Sequence, residues 1–211
     1  MRFRLSLAAF VAALVLAPLS ASAAAYEFEK FDASYVFDPS GVVSITEDIQ
    51  VDFQVPRHGL IWKVPVSYRT DTGDRRNIRL RVLSVTDRAG NAIPFETSRN
   101  GDNLEVKIGD ADVEVIGPVY YRMKSVLERA WNSFPEHDEF YWNVIGFDHE
   151  DLPADVSATI EPPPGVKTSD IKTRCFAGPL GSADDTRCTP AESDGQLLFV
   201  AREPMTIVIG M

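Results

Sequence analysis

The sequence predicts an all-β protein, a two-sheet β-sandwich of about ten mainly antiparallel strands with little helix. Apolar and polar residues alternate with a period of two along most of the chain. Gly, Pro, Asp and Asn divide these runs into short segments, as turns between strands do. Only the stretch LERAWNSF, residues 127–134, is compatible with a short helical turn. Uneven strand spacing and long irregular links favour a sandwich over an up-and-down barrel.

The first two strands form a predicted hairpin. The run VVSITEDIQVDF, residues 42–53, places Val43, Ile45 and Ile49 on one face and Ser44 and Thr46 on the other. Such alternation indicates a strand that is buried on one side. The turn DPSG precedes it and connects it to the apolar segment FDASYVF.

The remaining strand candidates follow in order along the chain. The segment NLEVKIG alternates as clearly and comes directly after the turn RNGD. The other candidates are IWKVPVSY, IRLRVLSV, IPFETS, VYYRMKSV, EFYWNVIG, VSATI, QLLFVA and MTIVIG. No internal repeat, low-complexity tract or interdomain linker interrupts them. Residues 24–211 are therefore predicted to form a single β-sandwich domain.

Residues 1–23 have the pattern of a secretory signal peptide. Two arginines precede an apolar run from Leu5 to Leu19, and Ala21-Ser22-Ala23 offers an Ala-x-Ala cleavage site. The apolar run of 15 residues is shorter than the roughly 20 that a membrane-spanning helix needs. We therefore expect an exported chain on the periplasmic or extracytoplasmic side of a membrane.

The charge balance disfavours two classes of partner. Cleavage would remove Arg2 and Arg4, which leaves 19 basic against 31 acidic residues and a net charge of −12. Nucleic-acid binding requires a basic surface that displaces counterions from phosphates. Anionic lipid headgroups also attract basic rather than acidic surfaces. The expected partner is an unidentified ligand or protein of the cell envelope.

Cys175 and Cys188 are expected to form a disulfide. Exported chains meet oxidising conditions, and the segment CFAGPLGSADDTRC lacks any apolar period that would otherwise order it. Closing a loop of this length contributes about 3 kcal/mol in the chain-entropy model. A redox or metal role would normally show Cys-x-x-Cys spacing or neighbouring histidines.

The segment EHDEFYWNVIGFDHED, residues 136–151, concentrates acids, two histidines and aromatic residues. Alternation predicts that Phe140, Trp142 and Val144 are buried, whereas Tyr141 and Asn143 lie on the opposite face. The acidic residues before and after this strand fit solvated loops. The segment is thus mainly explained as a central strand with charged ends.

Catalytic and metal functions remain alternatives for this segment. A zinc-protease helix is excluded because proline stands where His-Glu-x-x-His requires its second histidine. A metal site from His137, Asp138, His149 and Glu150 would require the strand to fold back. A glycosidase would need facing carboxylates, for which Glu139 and Glu150 or Asp151 are candidates. We assign no catalytic residue, metal or cofactor from the sequence.

Several motifs resemble one protein family. HGLIWKVPVSY, VKIGD followed by GPVYYRM, HDEFYWNVIG, and CFAGPLGSADDTRC occur in the same order as in the N-terminal region of the domain of unknown function 2207 family. The resemblance covers residues 26–211. It implies a bacterial membrane protein with a signal peptide, an extracytoplasmic β-rich domain, membrane helices and a cytoplasmic tail. It implies no known reaction.

The chain departs from the family pattern in two places. Ile61, Trp62 and Lys63 stand where the family commonly has Tyr-Arg-Asp, which removes a charged pair. The chain also ends at Met211 with no apolar helix after the leader. We therefore expect a membrane tether in a segment absent from this chain.

The binding surface is expected at loops near one end of the sandwich. Its candidate residues are Arg57, Trp62, Glu139, Tyr141 and Asn143. Burial in the core is a competing explanation for Trp62, because Trp62 has the same parity in its predicted strand as Val64 and Val66.

Three functional hypotheses follow. The preferred hypothesis is a non-enzymatic extracytoplasmic binding or sensing module of a membrane-anchored protein. The alternative is an exported cell-envelope hydrolase that uses carboxylates or a metal from residues 136–151. A third possibility is a structural protein that assembles through an exposed strand edge.

Overall fold

A computed structural model describes residues 25–69, 73–146, 152–153, 155–178, 182–203 and 205–211. In this part of the chain, sixteen strands and one 3₁₀ turn at Thr168–Asp170 are present. No helix among the described residues is long and apolar enough to cross a membrane. The strands are β1 (Tyr26–Phe37), β2 (Val43–Arg57), β3 (Leu60–Pro65), β4 (Ser67–Arg69), β5 (Arg75–Asn77), β6 (Arg79–Thr86), β7 (Phe95–Asn100), β8 (Asn103–Ile108), β9 (Val115–Glu128), β10 (Trp131–Ser133), β11 (Asp138–Asn143), β12 (Val156–Glu161), β13 (Lys172–Ala177), β14 (Cys188–Ser193), β15 (Gln196–Ala201) and β16 (Met205–Gly210).

Seven strands form the large sheet, in the order β14-β15-β12-β1-β2-β9-β6. All neighbours are antiparallel except β1 and β12, which run parallel. The alternation predicted for β2 is confirmed, because Val43, Ile45 and Ile49 are buried while Ser44 is exposed. One face of this sheet therefore faces the core.

The second layer consists of smaller sheets that cover the same face. Their orders are β10-β11-β16-β13, β3-β8-β7 and β4-β5. Phe31 of β1 stacks on Trp62 of β3 at a ring separation of 5.4 Å. Further along β1, Phe37 contacts Trp131 and Phe140, each at 5.1 Å. The all-β, sandwich-like fold is confirmed, with its second layer divided into several sheets.

Two local features differ from the sequence prediction. LERAWNSF is not helical: Arg129 has φ 63°, and Trp131–Ser133 pairs with β11 because Trp131 packs on the core. The segment IWKVPVSY is interrupted at Val66, whose amide donates to the carbonyl of Asp102. The last strand, β16, lies between β11 and β13 in the four-stranded sheet.

The predicted disulfide is confirmed. Cys175 of β13 and Cys188 of β14 are bonded, with 5.8 Å between their Cα atoms. Because β13 belongs to the four-stranded sheet and β14 to the seven-stranded sheet, the bond connects the two layers. It also closes the loop around residues 179–181, which lie outside the described residues.

Two glycines from the family motifs allow the closest backbone approach around β3 and β8. Gly59 precedes β3 with φ +124°, and Gly109 follows β8 with φ +129°. A Cβ atom on Gly59 would lie 1.8 Å from the carbonyl oxygen of Ile108, and one on Gly109 would lie 2.0 Å from that of His58. Only glycine fits at either position, since both the space and the φ value exclude a side chain.

Candidate functional site

A groove of about 830 Å³ lies between the β4–β5 ribbon and the β10–β11 hairpin. We call it the Tyr141 groove. It combines aromatic rings with amide, carboxylate and guanidinium groups, as ligand sites commonly do. Its lining residues are Pro65, Tyr68, Arg69, Asp74, Arg76, Ile78, Asn132, Ser133, Phe134, Glu139, Tyr141, Trp142 and Asn143.

Strand β11 presents three of the predicted binding residues to this groove. Phe140 and Trp142 are buried, as predicted, and contact each other at 6.1 Å in the core. Successive side chains of a strand point to opposite faces, so Glu139, Tyr141 and Asn143 share the outer face. Tyr141 is 45% exposed, so its ring is accessible from solvent in the groove.

Hydrogen bonds fix the polar groups on both sides of the Tyr141 ring. The Tyr68 hydroxyl donates to Asn132 Oδ1 at 3.4 Å, and Asn132 Nδ2 donates to Glu139 Oε1 at 3.4 Å. Thr206 Oγ1 donates to Asn143 Oδ1 at 2.7 Å. The Asn143 carbonyl is thereby occupied, and its amide group is oriented with N–H donors available. These side chains are held in place before any ligand binds, which lowers the entropy cost of binding.

Arg76 connects the two walls of the groove. Its guanidinium donates to the backbone carbonyl of Trp131 at 3.2 Å. On the same strand, Arg75 Nε donates to the Ser67 hydroxyl of β4 at 2.8 Å, and its guanidinium also pairs with Asp102. The ribbon is therefore held to the β10–β11 hairpin by Arg76 and to the β7–β8 turn by Arg75.

Arg57 lies in a second groove of about 1060 Å³, together with His58, Ile61, Lys63 and Lys107. This groove also contains Tyr26, the first residue of β1, whereas the β10–β11 hairpin packs on Phe37 at the end of β1. A strand of 12 residues spans about 40 Å. The structure thus separates Arg57 from the Tyr141 groove.

Trp62 contributes to the core rather than to a surface. Its side chain is 1% exposed and lies between Phe31 and Phe28, at 5.4 Å and 5.8 Å. The competing explanation of Trp62, burial by shared parity with Val64 and Val66, is confirmed. No surface of the indole is left for a ligand.

Glu47 was not among the predicted residues, yet it is the most unusual carboxylate of the described chain. It lies on the buried face of β2 between Ile45 and Ile49 and is 6% exposed. Burial raises the pKa of Glu47 to about 8. Within the described residues its carboxyl group has no hydrogen-bond or ion-pair partner. The sequence signal was a charged residue at a core position of an alternating strand.

Near Glu47, polar groups on the two neighbouring strands face the same core region. Tyr35 of β1 and Ser125 of β9 both pair with Ile45, one alternation step from Glu47. The Ser125 hydroxyl has no hydrogen-bond partner in the described part of the chain. Burial, followed by the charge of Glu47, raises the pKa of Tyr35. This cluster does not line either groove, so we treat it as a determinant of stability.

Asp48, the neighbour of Glu47, lies in a satisfied ion-pair network on the outer face of the large sheet. Arg122 donates to both carboxylate oxygens at 2.7 Å, and the Tyr120 hydroxyl donates at 2.6 Å. Burial alone would raise the pKa of Asp48, but these hydrogen bonds together lower it. The network is partly exposed, so its ion pair contributes modestly to stability.

The metal and hydrolase alternatives depend partly on residues 147–151, which lie outside the described residues. The candidate residues for these alternatives that lie in the described part of the chain are His137, Asp138 and Glu139. His137 is exposed and stacks on Phe134 at 5.0 Å, and Glu139 lies in the Tyr141 groove. Among the described residues, no group of three or more His, Cys, Asp and Glu side chains could hold a metal ion.

Two of the solved structures that match this chain are hydrolases. Native yeast LTA4 hydrolase matches with a TM-score of 0.57 at 10% identity, over 88% of this chain and 29% of that chain. The M1 zinc metallopeptidase from Deinococcus radiodurans matches with a TM-score of 0.47 at 10% identity, over 88% of this chain and 42% of that one. This chain spans less than half of either protein, and the likeness to the yeast enzyme concerns the fold alone.

The comparison with protein families gives a match over most of the chain. No curated protein sequence matches. Residues 27–203 match the family described as the N-terminal domain of a predicted membrane protein, DUF2207. The match includes the two glycines of the β3–β8 approach, the disulfide and all of β11. The chain therefore belongs to the DUF2207 family of predicted membrane protein N-terminal domains.

Proposed function

We propose that this chain is a non-enzymatic binding or sensing module on the extracytoplasmic side of a membrane-anchored protein, and that the Tyr141 groove is its binding surface. The observation that carries the proposal is an exposed Tyr141 ring flanked by polar groups already held by hydrogen bonds. Membership of a predicted membrane protein family supports the tether. The N-terminal leader pattern and the disulfide support the extracytoplasmic side.

The groove favours binding over catalysis for a chemical reason. A general acid or base needs a titratable group whose pKa is tuned and which reaches the ligand. Glu47, with its raised pKa, faces the core and lines neither groove. Glu139, which does line the Tyr141 groove, accepts a hydrogen bond from Asn132 and is suited to positioning a ligand.

Site-specific photo-crosslinking in living cells tests this proposal. A benzophenone amino acid replaces Phe134, which lines the groove and is 49% exposed. We expect crosslinked adducts of the full chain in the membrane fraction. The matched control places the same group at Leu83 of β6, which is also 49% exposed but lies at the edge of the large sheet. Few adducts are expected there.

Equal adduct yields at positions 134 and 83, or none at either, would contradict the groove as a binding surface. Adducts found only in the cytoplasmic fraction would contradict the proposed location. A hydrolase predicts a different outcome: the adduct would contain cleaved ligand, and Glu139→Gln would convert it to uncleaved ligand. We expect the same adduct mass with and without Glu139→Gln.

A further inference from the structure

The outer face of the four-stranded sheet extends the surface around Tyr141 beyond the groove. Tyr141 of β11 pairs with Val208 of β16, which pairs in turn with Arg174 of β13. In the same way, Glu139 pairs with Gly210, which pairs with Lys172. Asn143 lies beside Thr206 and then Phe176. The face therefore has an aromatic ring near its centre, with donors and acceptors of hydrogen bonds on several sides. Lys172 and Arg174 are exposed.

We propose that this face and the adjoining Tyr141 groove bind a carbohydrate chain of the cell envelope. The inference rests on the proposed function and specifies the chemical class of its ligand. A pyranose ring has a flat face of C–H bonds and a rim of hydroxyl groups. It is recognised by an aromatic ring that covers the flat face and by polar side chains that meet the rim.

The spacing on β11 fits this requirement. Glu139 and Asn143 lie two residues before and after Tyr141, which places their side chains about 7 Å to either side of the ring on the same face. Sugar hydroxyls both donate and accept hydrogen bonds. Glu139 supplies an acceptor and the Asn143 amide supplies donors, and both are held in place by Asn132 and Thr206.

A second exposed ring lengthens the site. Phe134 also lines the groove, is 49% exposed and stacks on His137 at 5.0 Å. In the described chain, Phe134 and Tyr141 are the two aromatic residues among the large exposed hydrophobic side chains. Both occur at this groove. Two aromatic platforms suit a chain of sugar units better than a single small molecule.

Other ligand classes fit the face less well. A peptide that adds a strand would bind through a free backbone edge, which in this sheet belongs to β10 or β13, and not through the side chains of β11, which is paired on both sides. An acyl chain needs a continuous apolar surface, whereas Glu139, Asn132 and Asn143 interrupt this one. An anionic ligand would be attracted by basic side chains and repelled by carboxylates. Glu139 and Asp74 both line the groove and disfavour such a ligand.

The composition of the photo-crosslinked adduct tests the inference. With the benzophenone at position 134 of the full chain, we expect mass spectrometry of the adduct to show sugar fragment ions. Adding Tyr141→Ala should lower the adduct yield at least tenfold, because the central ring is lost. Tyr141→Phe should retain most of the yield, because the stacking face remains. Val200→Ala, which removes a 46% exposed side chain from β15, should have no effect.

Each outcome decides the matter. Sugar-containing adducts that require the ring at position 141 support the inference. An adduct that contains only peptide or lipid overturns the carbohydrate inference and leaves the proposed binding function in place. Sugar adducts that are unchanged by Tyr141→Ala overturn the assigned site. The absence of any adduct above the Leu83 control overturns both the inference and the proposed function.

Discussion

Replacement of Gly59 by alanine is expected to destabilise the protein by about 3 to 5 kcal/mol, enough to unfold much of a marginally stable domain. The new Cβ would lie 1.8 Å from the Ile108 carbonyl oxygen, so the ends of β3 and β8 must separate. Overpacking typically costs about 1 to 3 kcal/mol, and a strained φ value adds a comparable amount. Gly109→Ala should behave similarly, because its Cβ would meet the carbonyl oxygen of His58.

Gly90→Ala is the matched control for Gly59→Ala. Gly90 also has a positive φ, +89°, but no atom lies within 4 Å of its added Cβ. Its expected cost is the backbone strain alone, about 1 kcal/mol. Urea unfolding of the purified chains, followed by tryptophan fluorescence, measures the difference. If Gly59→Ala loses no more stability than Gly90→Ala, the close approach between β3 and β8 is not required by the fold.

Stability is expected to fall as the pH rises from about 4.5 to 8, because of Glu47. The pKa of Glu47 is about 8 in the folded chain, against 4.5 for an unperturbed glutamate. Between these values the unfolded state ionises Glu47 while the folded state keeps it protonated, so rising pH favours unfolding. Below pH 4.5 both states are protonated and the contribution is fully retained. The loss is on the order of 5 kcal/mol by pH 8.

Glu47→Gln should remove this pH dependence, since glutamine does not ionise. At pH 8 the variant is expected to be more stable than the natural chain, and near pH 4.5 the two should be similar. Asp48→Asn is the control on the adjacent residue. It breaks the ion pair with Arg122, so it should lower stability at neutral pH and retain the Glu47 slope. Parallel pH profiles for the natural chain and Glu47→Gln would contradict a buried, protonated Glu47.

Features encoded within one strand or one turn could be predicted from the sequence. The alternation in β2, the burial of Phe140 and Trp142, and the Cys175–Cys188 bond follow from local pattern and chain chemistry. The burial of Glu47 was also visible as a break in an alternating strand. A carboxylate between Ile45 and Ile49 must be exposed by a bulge, paired inside the core, or protonated there.

The composition of the Tyr141 groove could not be predicted, because it depends on contacts between distant segments. The Tyr68 hydroxyl meets Asn132 across 64 positions of the sequence, and Arg76 meets the carbonyl of Trp131 across 55. No local periodicity records which ribbon lies beside which hairpin. The same long-range arrangement explains why Arg57 belongs to a different groove from the residues of β11.

The most direct measurement of the central claim is the exposure of the Tyr141 ring in cells. Hydroxyl-radical footprinting of the full chain compares oxidation of Tyr141 in intact cells with oxidation in the purified chain. A ligand in the groove predicts at least a threefold lower oxidation rate of Tyr141 in cells, with little change at Leu83 and Val200. Equal oxidation of Tyr141 in both settings would show that the groove is empty where the protein works, and it would contradict the proposed function.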